Sequence, residues 1–125
     1  MLIRNSRTCP HAPVMDRSVL CELLHPDKTP EAGDLACSIA HAIVPSGETT
    51  LPHTLQKSTE IYFILEGSGV ITIDQESSPV QPGDIVLIPP GAVQHIRNTD
   101  TGDLIFLCVV SPKWQARDEV LVPVL

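Results

Sequence analysis

Short runs in which apolar and polar residues alternate fill the middle of this chain, and turn residues separate them. A two-residue periodicity is typical of β-strands that bury one face. Because the runs are short and most are bounded by glycine, proline or aspartate, the pattern favours a β-sandwich or barrel over a helical fold. The strands predicted in this way are residues 37–44, 60–65, 70–74, 85–88, 93–98 and 104–110.

The two ends of the chain differ from this middle part. Residues 1–16 are polar and irregular, which predicts an N-terminal arm, and residues 18–25 are expected to form a short strand or a helical turn. The chain ends in VLVPVL, which is too apolar to remain in solvent. We therefore expect an arm with an edge strand (1–35), one β domain (36–111) and a tail (112–125) that packs on the barrel or on a second subunit.

Size and charge exclude several classes of function. A chain of 125 residues forms one domain with its own core. Its formal net charge is −7 and its eight lysines and arginines form no cluster, so we expect no nucleic-acid partner. No apolar stretch approaches the roughly 20 residues of a membrane helix, and the first residues lack the apolar core of a secretory signal. We expect no membrane association.

The cysteines indicate a reducing environment. Cys9, Cys21, Cys37 and Cys108 show neither Cys-x-x-Cys spacing nor the density of a disulfide framework. We therefore expect free thiols and a cytoplasmic location. Cys37 and Cys108 are predicted to be small core residues, whereas Cys9 and its neighbour His11 lie in the irregular arm and are expected to have no function.

A segment bracketed by Gly47 and Gly67 carries the first candidate ligands, His53 and Glu60. Its spacing resembles the first sequence motif of the cupin superfamily, in which two histidines two residues apart precede a glutamate. Leu55 stands at the position of the second histidine. The motif is thus matched in its framework but lacks one imidazole.

A second glycine-bracketed segment resembles the other cupin motif. Gln94 stands where that motif has its histidine, and His95 follows one residue later. Because successive strand residues point to opposite faces, Gln94 is expected to face inward and His95 outward. A β-bulge after the Pro-Pro-Gly corner would turn His95 back toward the interior. The framework residues that match the motif are Gly83, Pro89, Gly91 and Asn98.

The resemblance to cupins implies an all-β fold, the cupin double-stranded β-helix or jelly-roll barrel, with a short N-terminal arm. It also implies an interior site for a divalent metal ion. Small cupins of this kind commonly pair through sheet edges and terminal strands, so the resemblance implies a homodimer.

A metal site can be assembled from the candidate residues. His41 lies on the bulky apolar face of its strand, which predicts that it points inward and replaces the imidazole absent at Leu55. Two imidazoles and a carboxylate suit iron, manganese, nickel or zinc. Each ligand also has an ordinary alternative, as a hydrogen-bonded side chain of the core or surface. The predicted ligands are His41, His53, Glu60 and Gln94, with His95 as the alternate.

Three functions remain open. The first is an enzyme that acts on a small oxygenated molecule, as a dioxygenase or as an isomerase or epimerase, with Tyr62 assisting proton transfer. The second is a non-catalytic module that binds or senses a small molecule or metal in the same pocket. The third is a barrel whose polar interior binds no metal.

Overall fold

The computed structural model of the chain describes residues 1–123, which form two antiparallel sheets. Turns and two short 3-10 helices, Pro30–Ala32 and Ala116–Asp118, connect the strands, and residues 1–123 contain no α-helix. The strands are β1 (Ala12–Pro13), β2 (Val19–Leu24), β3 (Ser38–Val44), β4 (His53–Leu55), β5 (Thr59–Glu66), β6 (Gly69–Ile73), β7 (Glu76–Val80), β8 (Ile85–Ile88), β9 (Gln94–Asn98), β10 (Leu104–Ser111) and β11 (Glu119–Leu121).

The two sheets confirm the predicted jelly-roll barrel. One sheet has the strand order β1-β2-β3-β10-β5-β8, and the other has the order β11-β4-β9-β6-β7. The apolar core lies between them, with Ile64, Leu104 and Phe106 from the first sheet. Ile71 and Ile96 come from the second sheet, and all five side chains are at most 4% exposed. Each such burial contributes roughly 1.5–3 kcal/mol, so this interface supplies the main driving force for folding.

The framework glycine that ends the first motif is required by its surroundings. Gly67 has a φ of +80°, and a Cβ added there would lie 2.5 Å from the carbonyl oxygen of Asp103. A side chain would therefore clash with the backbone as well as strain its own. This explains why the turn between β5 and β6 uses glycine.

Residues 75–79 are absent from the predicted strands, yet most of them belong to β7. This strand is at the edge of its sheet and pairs only with β6. An edge strand tolerates polar side chains and a proline, here Pro79 opposite Val70, because one row of backbone groups needs no partner strand. Because β7 has no apolar face, the alternation of apolar and polar residues did not predict it as a strand.

The predicted faces of β3 are also reversed. Ala42 and Val44 belong to the core, so His41 lies on the outer face of the sheet. Ala42 stands directly opposite Phe106 in β10, and the ring of Phe106 fills the space that a larger residue would need. The bulky face of β3 is instead the outer one, where His41 pairs with Cys21 of β2.

The N-terminal arm folds back onto this outer face and forms a disulfide with it. This finding corrects the expectation that all four cysteines are free thiols. Cys9 forms a disulfide with Cys21, and β1 pairs with β2 beside it. Cys37 and Cys108 are free, and Cys108 is buried in the core as predicted. No spacing pattern in the sequence identifies this disulfide. The two cysteines meet because the arm folds back and β1 pairs with β2.

At the other end of the chain, the tail joins the five-stranded sheet. Its strand β11 pairs with β4, and the Val122 amide donates to the Pro52 carbonyl. Residues 124–125, which belong to the predicted tail, lie outside the described residues. The predicted homodimer stays a prediction. No helix in the described part is long and apolar enough to cross a membrane.

Two isoleucines allow a matched test of the core. Replacing fully buried Ile64 with alanine should lower the free energy of unfolding by about 2–5 kcal/mol, because the barrel cannot close the cavity left behind. Ile85→Ala, at a position 70% exposed, should cost less than about 1 kcal/mol. Urea titration of both variants measures the difference. Equal losses at the two sites would contradict the described core.

Candidate functional site

An interior cavity opens between the N-terminal arm and the two sheets. Its volume is about 470 Å³, which falls in the range of small-molecule sites. Apolar side chains from β2, β3 and β10 form part of its wall, together with a group of ionisable side chains. The apolar lining includes Leu20, Ala40, Phe106 and Val110, and the polar lining includes Asp16, His53, Glu60, Tyr62 and Glu119.

His53 begins β4 and is oriented by its own backbone segment. Its Nδ1 donates a hydrogen bond to the Leu51 carbonyl oxygen at 2.8 Å, so in the neutral ring Nε2 carries the free lone pair. That Nε2 lies 3.8 Å from Oδ2 of Asp16, and the side chain is only 2% exposed. His53 can therefore act as a base or as a metal ligand through Nε2.

Glu60 is the most strongly perturbed carboxyl group of the cavity. Burial raises its pKa from 4.5 to about 7, although the neighbouring His53 and the hydrogen bond from Gln94 both lower it. The carboxylates of Asp16 and Glu119 add to the increase. Glu60 therefore exists in both protonation states near neutral pH.

A chain of hydrogen bonds holds Glu60 in place. The Tyr62 hydroxyl donates to Oε1 of Gln94 at 2.7 Å, and Nε2 of Gln94 donates to Oε1 of Glu60 at 2.9 Å. Burial and the nearby Glu60 raise the pKa of Tyr62 well above its usual value, so its hydroxyl keeps its proton. In this arrangement Tyr62 positions Gln94, and its predicted role in proton transfer stays a prediction.

Two carboxylates of the site were missed in the sequence. Asp16 ends the arm, where its Oδ1 accepts hydrogen bonds from the amide and hydroxyl of Ser18. The turn is completed by Arg17, whose φ of 73° is in the left-handed region. The Asp-x-Ser spacing is a weak local signal for such a turn. It says nothing about the contact with His53 that follows from folding.

Glu119 is the second of these residues, and the tail brings it to the cavity. Strand β11 pairs Glu119 with Leu55 of β4. Burial raises the pKa of Glu119, while the neighbouring His53 opposes that increase. The tail carries two adjacent acidic residues, Asp118 and Glu119, and no pattern in the sequence distinguishes Glu119 as a site residue.

The structure brings together part of the predicted ligand set. His53, Glu60 and Gln94 meet in the interior, but His41 lies on the outer face of its sheet. Both amide atoms of Gln94 are engaged, its oxygen by Tyr62 and its nitrogen by Glu60. Among residues 1–123, and with the disulfide between Cys9 and Cys21 closed, no group of three His, Cys, Asp or Glu side chains is arranged to hold a metal ion. The residues present do not fit the predicted four-ligand set.

The choice between Gln94 and His95 is settled by the regularity of β9. This strand pairs with β6 without a bulge, with Ile73 opposite Gln94 and Thr72 opposite His95. Gln94 is fully buried, whereas His95 is half-buried on the outer face. The expectation for a regular strand is confirmed, and the alternate ligand His95 does not reach the cavity.

Two curated relatives resemble the chain in sequence. An uncharacterized protein of Methanocaldococcus jannaschii is 41% identical over 103 residues, which cover 82% of this chain and 80% of the relative. An oxalate-binding protein of Thermotoga maritima is 34% identical over 67 residues, which cover 54% of this chain and 55% of the relative.

The fold has solved counterparts, and the chain matches a family model. The Streptomyces nucleoside dehydratase Pac13 superposes with a TM-score of 0.78 at 16% identity, over 100% of this chain and 93% of that one. A structure of a Pac13 variant contains uridine. The family model that matches, over residues 40–110, is described as the cupin domain. Because this match spans more than half of the chain and agrees with its two-sheet barrel, the protein belongs to the cupin family.

Proposed function

We propose that the interior cavity binds a small polar molecule and that Glu60 and His53 transfer protons to and from it. The observation that supports this proposal is the raised pKa of Glu60. Its carboxyl group lines the cavity and has a pKa of about 7. A general acid or base works best when its pKa is near the working pH. A perturbed carboxyl beside a concave pocket is therefore a candidate catalytic group.

The charges around the cavity favour one class of ligand. The imidazole of His53 is surrounded by the carboxyl groups of Asp16, Glu60 and Glu119. Lys28 also lines the cavity, but its ammonium lies 2.8 Å from the Glu22 carboxylate, so this pair adds no net positive charge. An anionic ligand would meet like charges in a partly dehydrated site, which is costly. A neutral hydroxylated molecule avoids that repulsion. Of the molecules named for the similar proteins, uridine fits this charge pattern better than oxalate.

Among the predicted chemistries, the site favours isomerisation or epimerisation. One group removes a proton from carbon, and the other supplies a proton to the substrate, so no oxidant or reductant is needed. Tyr62 and Gln94 hold Glu60 in one orientation during this exchange. This proton exchange needs no divalent metal. The predicted ligand set is not assembled in the cavity, and such a metal stays a prediction.

A non-catalytic binding module is the second candidate. The hydrogen bonds from Tyr62 to Gln94 and from Gln94 to Glu60 fix polar groups along the cavity, and a fixed polar wall also serves recognition. Binding without turnover of the same ligand would favour this second candidate.

The proposed function is tested with uridine, D-ribose and oxalate as probes. Ligand-observed NMR at neutral pH should show binding of at least one neutral probe and none of oxalate. Glu60→Gln and His53→Gln should weaken binding by about tenfold or more, the effect of losing a hydrogen bond to a charged group. The matched control His95→Gln, on the outer face of β9, should change nothing. Time-resolved spectra then report turnover.

One result with oxalate would contradict the proposed preference for a neutral ligand. If oxalate binds only when manganese or another divalent ion is added, and binding is lost in His53→Gln, the charge argument fails and a metal centre replaces it. Metal analysis of the same samples, before and after chelation, identifies that case.

The raised pKa of Glu60 also predicts a pH dependence of stability. A carboxyl whose pKa is higher in the folded state favours folding below its unfolded pKa of 4.5 and loses that contribution as the pH rises through about 7. The unfolding free energy of wild type minus that of Glu60→Gln should therefore fall by about 3 kcal/mol between pH 4 and pH 8. Urea titrations at several pH values measure it.

The control for this pH dependence is Glu76→Gln. Glu76 is an exposed glutamate on the edge strand β7, so its replacement should leave the profile nearly unchanged. A difference between wild type and Glu60→Gln that stays constant with pH would show that Glu60 titrates normally.

A further inference from the structure

Four side chains with metal-binding chemistry meet outside the cavity, on the outer face of the six-stranded sheet. They are Cys9 and His11 of the arm, Cys21 of β2 and His41 of β3. The proposed function uses none of them. We call this group the outer cluster.

Strand pairing places three of these residues in one row. Cys21 is directly opposite His41 in the ladder between β2 and β3. In the ladder between β1 and β2, Ala12 pairs with Leu20, so the preceding residue, His11, comes opposite Cys21. Directly opposed residues of neighbouring strands point to the same side of the sheet. Cys9 completes the group because its sulfur is bonded to that of Cys21.

The two imidazoles face each other, and that of His11 is oriented as a metal ligand. Nδ1 of His11 donates to the Cys9 carbonyl oxygen at 2.9 Å, which leaves the lone pair of the neutral ring on Nε2. That Nε2 lies 2.8 Å from Nδ1 of His41. A histidine whose second nitrogen is held by a backbone carbonyl is the usual arrangement in metal sites. Nδ1 of His41 donates its proton to Nε2 of His11 in this state, so the two nitrogens face each other across one hydrogen bond. The disulfide sulfur of Cys21 belongs to the residue that lies between them in the sheet.

We propose that the outer cluster binds a zinc ion through the side chains of Cys9, His11, Cys21 and His41 when the disulfide is reduced. Two sulfurs and two imidazole nitrogens form a closed tetrahedral set, which is characteristic of structural zinc. At metal–nitrogen distances of about 2.0–2.1 Å, tetrahedral geometry separates two ligand nitrogens by about 3.3 Å. The observed 2.8 Å between the imidazoles therefore requires only a small outward shift.

Zinc binding first requires that an external thiol reductant open the disulfide between Cys9 and Cys21. Two molecules of the reductant become a disulfide, and their two electrons and two protons convert the Cys9–Cys21 bond into two thiols. Each thiol then loses its proton as its sulfur binds zinc, so two protons are released. The proton that His41 shares with His11 moves to Nε2 of His41, which frees Nδ1 for the metal. With the disulfide closed, both sulfurs are unavailable and the cluster holds no ion.

The experiment compares oxidised and reduced full-length protein from one preparation. The reduced protein, prepared with a phosphine and desalted under argon, is titrated with zinc against a chromophoric chelator and separately with cobalt(II). We expect one ion per chain, a thiolate-to-cobalt charge-transfer band and the visible absorption of tetrahedral cobalt. The oxidised protein should show neither band, and this comparison needs no variant to fold.

Variants then assign the ligands. Cys9→Ser and His41→Ala should weaken zinc binding by at least about tenfold, whereas Cys37→Ser and His53→Ala should leave it unchanged. The His53→Ala control separates this site from an interior metal centre, so failure here is distinct from failure of the proposed function. Zinc should also raise the melting temperature of reduced wild type and leave that of the oxidised protein unaffected.

Three results would overturn the proposal. They are the absence of a thiolate band in reduced wild type, equal binding by the oxidised protein, and loss of binding in His53→Ala with retention in Cys9→Ser.

Discussion

The buried hydrogen bonds that run from Tyr62 through Gln94 to Glu60 connect the two sheets of this barrel. Tyr62 and Glu60 come from β5 in one sheet, and Gln94 comes from β9 in the other. A carboxyl in an apolar interior is tolerated only when its hydrogen-bonding capacity is satisfied. Gln94 supplies one donor, and the remaining cost of burial appears as the raised pKa of Glu60. The hydrogen bonds that join the two sheets thus also hold the group proposed to carry the chemistry.

Local alternation was sufficient to predict much of the fold. It located the central strands and placed Gln94 inside and His95 outside, because a regular strand offers only those two directions. It failed for His41, where the larger side chains were taken as the buried ones. The inner face of β3 is small because Ala42 lies beside Phe106, a neighbour contributed by a strand much later in the chain. Which face is interior depends on such partners, and a single strand does not reveal them.

The missed parts of the site share one physical origin. Asp16 and Glu119 lie near opposite ends of the chain and reach His53 only after the arm and the tail have packed on the sheets. The disulfide between Cys9 and Cys21 likewise depends on the arm folding back over β2. Sequence spacing describes contacts within a strand or turn, whereas these contacts are set by tertiary closure. The framework residues were therefore predicted correctly, whereas His41, one of the two predicted histidine ligands, lies outside the cavity.

The N-terminal arm contacts both faces of the sheet to which β2 and β3 belong. Its outer contacts are Cys9 and His11, and a few residues later it delivers Asp16 to the cavity beside His53. Asp16 contributes to the raised pKa of Glu60, so any loosening of the arm that withdraws this carboxylate lowers that pKa. The disulfide between Cys9 and Cys21 ties the arm to β2 on the opposite side of the sheet. The arm is thus the element that both the outer cluster and the proton-transfer site share, with the six-stranded sheet between them.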